Sequence, residues 1–276
     1  MVQRLEVVEA AATPPVWAAL RNEAEHIAAS EPSLASLLNA VILRHSELSK
    51  ALSYQLARKL SDQELRAMSL RETCEEAYAA DPGIVAAAEA DLRAVFERDP
   101  ACKGYVQPFL FFKGFMALQT HRISHWLWTQ GREYMAFYLQ SRMSELFQVD
   151  IHPAAVIGKG AFFDHGTGIV IGETAVVGDD VSMLHGVTLG GTSADRVDRH
   201  PKIGRGVLLA AGAKVIGNIT IGDYAKVAAG AVVLQPVPPG CTAVGVPARL
   251  VNCPTCAEPS KTMDPTLPDS AYDYVI

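Results

Sequence analysis

Six branched or long apolar residues, Ile203, Leu209, Val215, Ile221, Val227 and Val233, follow one another at an unbroken spacing of six. That period belongs neither to a helix nor to the simple alternation of a strand. It marks a parallel β-helix, in which each short strand adds one flat face and a tight corner follows it. Two shorter runs keep the spacing in other phases: Ile151, Ile157, Phe163, Ile169, and then Ile171, Val177, Met183, Leu189. Gly158, Gly172, Gly178, Gly204 and Gly222 directly follow in-register apolar positions, where a corner favours a residue without Cβ. Three six-residue faces close one coil, so residues 151 to 251 supply about five coils.

The register slips by two between Ile169 and Ile171, just after Asp164-His165-Gly166-Thr167-Gly168. It slips again between Leu189 and Ile203, across Gly190 to Pro201. Insertions in a solenoid leave it as loops, and both loops carry an Asp and a His.

Residues 1–148 follow a different pattern, rich in Ala, Leu, Glu and Arg with charges spread over helical faces. Ser61-Asp62-Gln63-Glu64 reads as a capping box opening a helix that runs to Ala79. A second helix is expected over Ile84 to Arg98, ended by Asp99-Pro100, and a third stretch from about Pro108 to Phe147. The expected organisation is α+β: an α-helical domain (1–148), a parallel β-helix of hexapeptide repeats (149–251), and a polar, flexible tail (252–276).

The net charge of −6, with Arg and Lys scattered, argues against a nucleic-acid partner. The first residues lack the apolar core of a signal peptide, and no apolar run reaches the roughly 20 residues that span a bilayer. Five scattered cysteines suit a reducing compartment, so a cytoplasmic location without membrane contact is expected.

A His flanked by carboxylates can activate a hydroxyl, because imidazole titrates near neutrality and a carboxylate fixes its tautomer and stabilises its cation. Asp150, Asp164 and His165 form one such group at the entrance to the coils, and Asp198, Arg199 and His200 a second. Solvated polar turns are the competing reading of both. Arg199 beside His200 can hold a carboxylate through the guanidinium fork. Gly190-Gly191-Thr192 permits close backbone approach, yet two glycines also simply let a loop leave the prism. His121 and His125 lack the intervening Glu of a zinc-protease helix and read as structural. Cys253 and Cys256 form a single CxxC without a second pair, so no metal is expected.

Phe147 to Ala155, Asp164-His165-Gly166-Thr167-Gly168, Val187 to Thr192 and Asp198-Arg199-His200-Pro201-Lys202-Ile203, together with Ala77 to Pro82 and Arg98-Asp99-Pro100-Ala101, closely resemble the serine O-acetyltransferase family. The resemblance extends from roughly Glu31 through Val251. It implies transfer of acetyl from acetyl-CoA to the hydroxyl of L-serine, giving O-acetylserine for cysteine synthesis. On that basis His165 corresponds to the general base and Asp150 to the carboxylate orienting it. Asp99 and Asp164 correspond to groups around the serine amine and hydroxyl, and Arg199 and His200 to those holding its carboxylate. Gly191, Thr192, Ala211, Lys226 and Ala229 correspond to positions near the coenzyme, which in this family lies at a subunit boundary. Ser193-Ala194 depart from the Gly-Lys that usually follows Gly-Gly-Thr.

The resemblance further implies a left-handed β-helix that carries catalysis, an oligomerisation role for the helical half, trimers or dimers of trimers, feedback inhibition by L-cysteine, and docking of the terminal Ile276 into O-acetylserine sulfhydrylase. The rival readings are an acyltransferase acting on a sugar or xenobiotic hydroxyl, a zinc hydratase drawing on His152, His165, His185 and His200, and a non-catalytic scaffold acting through Ile276 alone. Arg199, His200 and Asp99 speak against the sugar, which offers no carboxylate and amine.

Overall fold

Helix-forming residues of the first half pack as α1 (Val16–Ser30), α2 (Pro32–Leu38), a π-helical turn (Asn39–Leu43), α3 (Leu48–Leu60), α4 (Ala67–Ala80), α5 (Gly83–Arg98), α6 (Val106–Phe111), α7 (Lys113–Thr129) and α8 (Glu133–Phe147) in the computed structural model, which describes residues 15–192, 197–251 and 258–267. The expected capping box does not form. Asp62 turns its carboxylate onto the Glu64 and Leu65 amides at 2.9 and 2.8 Å, a local turn that holds the chain out of the helix until Ala67. The long third stretch is three helices. Phe112 is extended at its first break, and Gly131 takes φ +73° at the second.

The hexapeptide period produces the expected left-handed β-helix. Its first face stacks Val149–Ile151, Ile169–Ile171, Thr188–Gly190, Lys214–Ile216 and Val232–Val233; its second stacks Val156–Ile157, Val176–Val177, Lys202–Ile203 and Thr220–Ile221. The third stacks Phe162–Phe163, Ser182–Met183, Leu208–Leu209, Lys226–Val227 and Thr242–Val244, with Arg249–Val251 added antiparallel at its end. Every other pairing between these strands is parallel.

Register shows where the first extra residues go. Ile151 pairs with Ile171 and Val149 with Ile169, so the slip of two is absorbed entirely at the corner holding His165. In the second slip Leu189 stacks under Val215 and Val177 under Ile203. The spine Ile151, Ile171, Leu189, Val215, Val233 is no more than 2% exposed throughout. At Gly158 an added Cβ would lie 2.7 Å from backbone atoms of the next coil, which is why only glycine fits there.

One buried ion pair joins the two halves. Asp91 of α5, 0% exposed, accepts hydrogen bonds from Arg122 Nε and Nη2 (3.0 and 2.7 Å), Gln119 Nε2 (2.9 Å) and the Ala161 amide (3.0 Å). Arg122 also donates to the carbonyls of Ile157 and Gly158 at 3.3 and 2.8 Å. His121 beside it donates to Ala155 O at 3.1 Å, consistent with a structural role, and its burial pushes the imidazole well below its usual pKa.

Residues 258–267 of the polar C-terminal segment pack against the third face. Ser182 Oγ donates to Ser260 O at 2.7 Å and Lys226 Nζ to Thr266 O at 3.1 Å, bonds that hold a segment with little apolar surface of its own. Removing one partner of a buried pair strands the other charge. Arg122→Ala should therefore lower unfolding free energy by about 3–5 kcal/mol, measured by urea denaturation followed through far-UV circular dichroism.

Candidate functional site

Two edges of the prism carry the candidate residues. At the edge between third and first faces, the inserted corner residues place His165 in the left-handed region, φ +58°, with its side chain 72% exposed. The corner is held from behind: the Gly168 amide donates to Gln148 O at 2.7 Å, Lys113 Nζ contacts Thr167 Oγ1, and Gly114 packs on Phe163 so closely that a Cβ would collide with its carbonyl. His165 Nε2 lies 3.8 Å from Asp164 Oδ1, and the His185 ring stands edge-on at 5.9 Å.

Asp164 turns into a cleft of about 440 Å³ that it shares with Asp99, Phe162, Leu184 and Lys261. Burial raises the Asp164 carboxyl above its usual range; His165 opposes the shift and Asp99 adds to it. Asp99 ends α5 and fixes the following turn through an Ala101 N–H to Asp99 Oδ1 bond of 2.8 Å. Two carboxylates facing one cleft create a site for a small cation such as an ammonium group.

Along this edge Leu184 and His185 occupy the first corner above His165, and the next two corners carry only alanine and glycine. Gly186 donates to Thr167 O, Gly212 to His185 O and Gly230 to Ala211 O, at 2.8, 2.9 and 2.9 Å. Gly168, Gly186, Gly212 and Gly230 all have positive φ. Ala211 and Ala229 sit on this edge beside them. Above His185 a track of alanine and glycine corners runs up the prism.

The edge between first and second faces carries the other group. Arg199 Nη2 donates to Glu173 Oε2 at 2.8 Å, and the Arg199 and His200 amides both donate to Thr174 Oγ1 at 3.1 Å. Thr174 Oγ1 also meets His200 Nδ1 at 3.0 Å, and the Thr174 amide donates to the same nitrogen at 3.2 Å, so the proton of a neutral ring resides on Nε2. His200 is 7% exposed, and burial, then Arg199, lowers its pKa. The Arg199 hydrogen bond holds Glu173 below its usual range. Gly191 lies against both: an added Cβ would be 3.0 Å from Arg199 Cγ and 3.1 Å from His200 Nε2. Thr192 packs near Gly217 on the same side.

Asp150 projects from the first face. Among the described residues it hydrogen bonds to Gln140, at 2.7 Å, and not to His165. Lys226, on the third face, is 7% exposed with its ammonium on Thr266 O. The chain therefore brings Asp99, Asp164 and His165 together, and Arg199 with His200, but sets these groups on separate edges. Between them runs the whole width of the first face, the strand Ile169–Ile171 and the turns that flank it.

Glu173, Thr174 and Gln140 were not legible as site residues. Glu173-Thr174 follow an in-register Gly in an ordinary corner, and Gln140 reads as one polar position on a helix. Ser193, Ala194, Cys253, Cys256 and Ile276 lie outside the described residues. Among the described residues, no group of three His, Cys, Asp or Glu is arranged to hold a metal ion, and no helix is long and apolar enough to cross a membrane.

Comparison with known proteins meets this geometry. A family model described as serine acetyltransferase, N-terminal, matches residues 16–120, and one for the bacterial transferase hexapeptide (six repeats) matches residues 200–235. The chain is 56% identical to the serine acetyltransferase of Escherichia coli K12 over 249 residues, covering 90% of this chain and 91% of the relative. It is 52% identical to that of Haemophilus influenzae, covering 91% and 94%. A solved serine acetyltransferase in complex with cysteine superposes with a TM-score of 0.90 at 52% identity, over 91% of this chain and 98% of that one. A serine acetyltransferase from Brucella abortus in complex with coenzyme A gives 0.86 at 48%, over 89% and 98%. A soybean one complexed with serine gives 0.84 at 55%, over 86% and 97%.

Thr174 ties two amides and an imidazole to one hydroxyl. Thr174→Val should speed hydrogen exchange at the Arg199 and His200 amides by about fivefold or more, the loss of roughly 1 kcal/mol or above, read by NMR or mass spectrometry.

Proposed function

The chain belongs to the serine acetyltransferase family, and from that premise we propose that it transfers acetyl from acetyl-CoA to the hydroxyl of L-serine with His165 as general base. The observation that carries the reading is the placement of an exposed imidazole between the cleft that holds Asp99 and Asp164 and, past His185, an edge of alanine and glycine corners. Serine's ammonium enters the cleft of Asp99 and Asp164, which sets its hydroxyl toward His165. The track past Ala211 and Ala229 accommodates an extended thioester arm, and the coenzyme complex of the Brucella relative supports coenzyme A as co-substrate.

The proton follows the bonds. His165 takes it from serine Oγ as that oxygen attacks the thioester carbon, and gives it to the departing thiolate when the C–S bond breaks. Asp150 orients the ring and stabilises its cation. No covalent acyl-enzyme is needed.

Arg199 and His200 hold serine's carboxylate. Glu173 and Thr174 support this role because they fix the guanidinium and leave His200 Nε2–H free to donate. The two charged groups lie too far apart in one chain to hold one serine. A trimer, in which the Arg199 edge of one subunit meets the His165 edge of the next, completes the site and lets Gly191, Thr192 and Lys226 join Ala211 and Ala229 around the coenzyme. The helical half would pair such trimers.

L-cysteine, whose thiol replaces the hydroxyl while both charged ends still fit, acts as inhibitor in the same reading; the cysteine complex of a relative supports it. A cytoplasmic location and docking of Ile276 in O-acetylserine sulfhydrylase complete the proposal.

His165→Ala should lower kcat by roughly two to four orders of magnitude with trimers intact, in an assay of thiol release from acetyl-CoA with L-serine. Near-normal turnover would remove the base from His165. Arg199→Met should raise KM for serine by about tenfold or more while KM for acetyl-CoA moves little, and equal effects on both would reject a carboxylate contact.

A further inference from the structure

Asp150 meets the site from an open side. It projects from the first face beside a cleft of about 560 Å³, walled by Phe137, Gln140, Ser141 and Glu145 of α8. Its Oδ1 accepts one hydrogen bond, from Gln140 Nε2 at 2.7 Å, and the described residues supply no partner for Oδ2. An ionised carboxylate only accepts, so the amide must present its NH2 and not its oxygen.

We propose that Gln140 is a positioning residue for acetyl transfer: it pins Oδ1 of Asp150 so that Oδ2 addresses the His165 ring of a neighbouring subunit. This rests on the proposed role of Asp150. The geometry has a mechanical logic. Gln140 lies midway along α8, whose end, Gln148 at φ +58°, leads directly into the strand carrying Asp150. The Gln148 carbonyl also anchors the His165 corner through Gly168. One helix thus fixes a carboxylate on the first face and an imidazole at its edge. Removing the amide frees the Asp150 side chain to rotate toward water in the open cleft, which costs the imidazolium its counter-charge as the hydroxyl proton arrives.

The test compares Gln140→Leu, Gln140→His and Asp150→Asn with the unaltered full-length protein, by steady-state kinetics from pH 5.5 to 9 and light scattering. Gln140→Leu should lower kcat on the order of tenfold, leave both KM values within about twofold, and move the acid limb of kcat/KM for serine to lower pH, since an unescorted imidazole is less basic. Gln140→His, which keeps an N–H donor, should recover most of the loss. A purely structural role for Gln140 predicts weaker assembly with no movement of the acid limb, and that result overturns the proposal. So does a Gln140→Leu enzyme with ordinary kcat and pH profile while Asp150→Asn is impaired. If Asp150→Asn itself turns over normally, the role of Asp150 fails first and the positioning role with it.

Discussion

The Asp91–Arg122 pair is the contact on which the relation between the two halves depends. A carboxylate taken wholly out of water is tolerated only when its lone pairs are met, and here one guanidinium, one amide side chain and one backbone amide meet them. The pair itself lies between α5 and α7, and the Ala161 amide with the Ile157 and Gly158 carbonyls ties it to the coils, so its bonds are complete only when helices and coils are in register. The same α5 then carries Arg98, which reaches Asp180 and Ser182 at 3.4 and 3.1 Å, and Asp99 at its end. The position of Asp99 in the acidic cleft follows from how α5 is pinned. A helical half that looks like an assembly module is in this respect part of the site.

Much of this was legible because the solenoid repeats. The spacing of six identified faces and corners, and the slips of register identified the two loops that hold His165 and Arg199. Their consequences were less legible. Nothing in the residues shows that the two extra positions at Asp164–Gly168 push His165 into a left-handed conformation on one edge while Arg199 and His200 come out on another. Separation by edge depends on how coils stack, which period alone does not convey. The helices were read less well, for local reasons: Asp62 captured the amides that the Ser61 cap was expected to serve, and Phe112 and Gly131 broke an otherwise continuous apolar pattern. Glu173, Thr174 and Gln140 carry no motif. Each matters only through a partner distant in sequence.

The electrostatic layout suits a zwitterion. The cleft of Asp99 and Asp164 is acidic, and the corner of Arg199 and His200 is basic, each built on its own edge with its own internal supports. In the proposed reading they are brought within reach of one small molecule only by assembly, so substrate recognition and subunit association draw on the same surfaces.

The glycine edge sets a scale of length. Successive coils rise by about 4.8 Å, and Gly168, Gly186, Gly212 and Gly230 mark four consecutive levels. The span is therefore metered by the number of coils, independently of what the loops bear. A protein built this way can exchange its acceptor alcohol by rewriting two insertions while the gauge for its acyl carrier stays untouched, because the ruler is backbone and the selectivity is decoration.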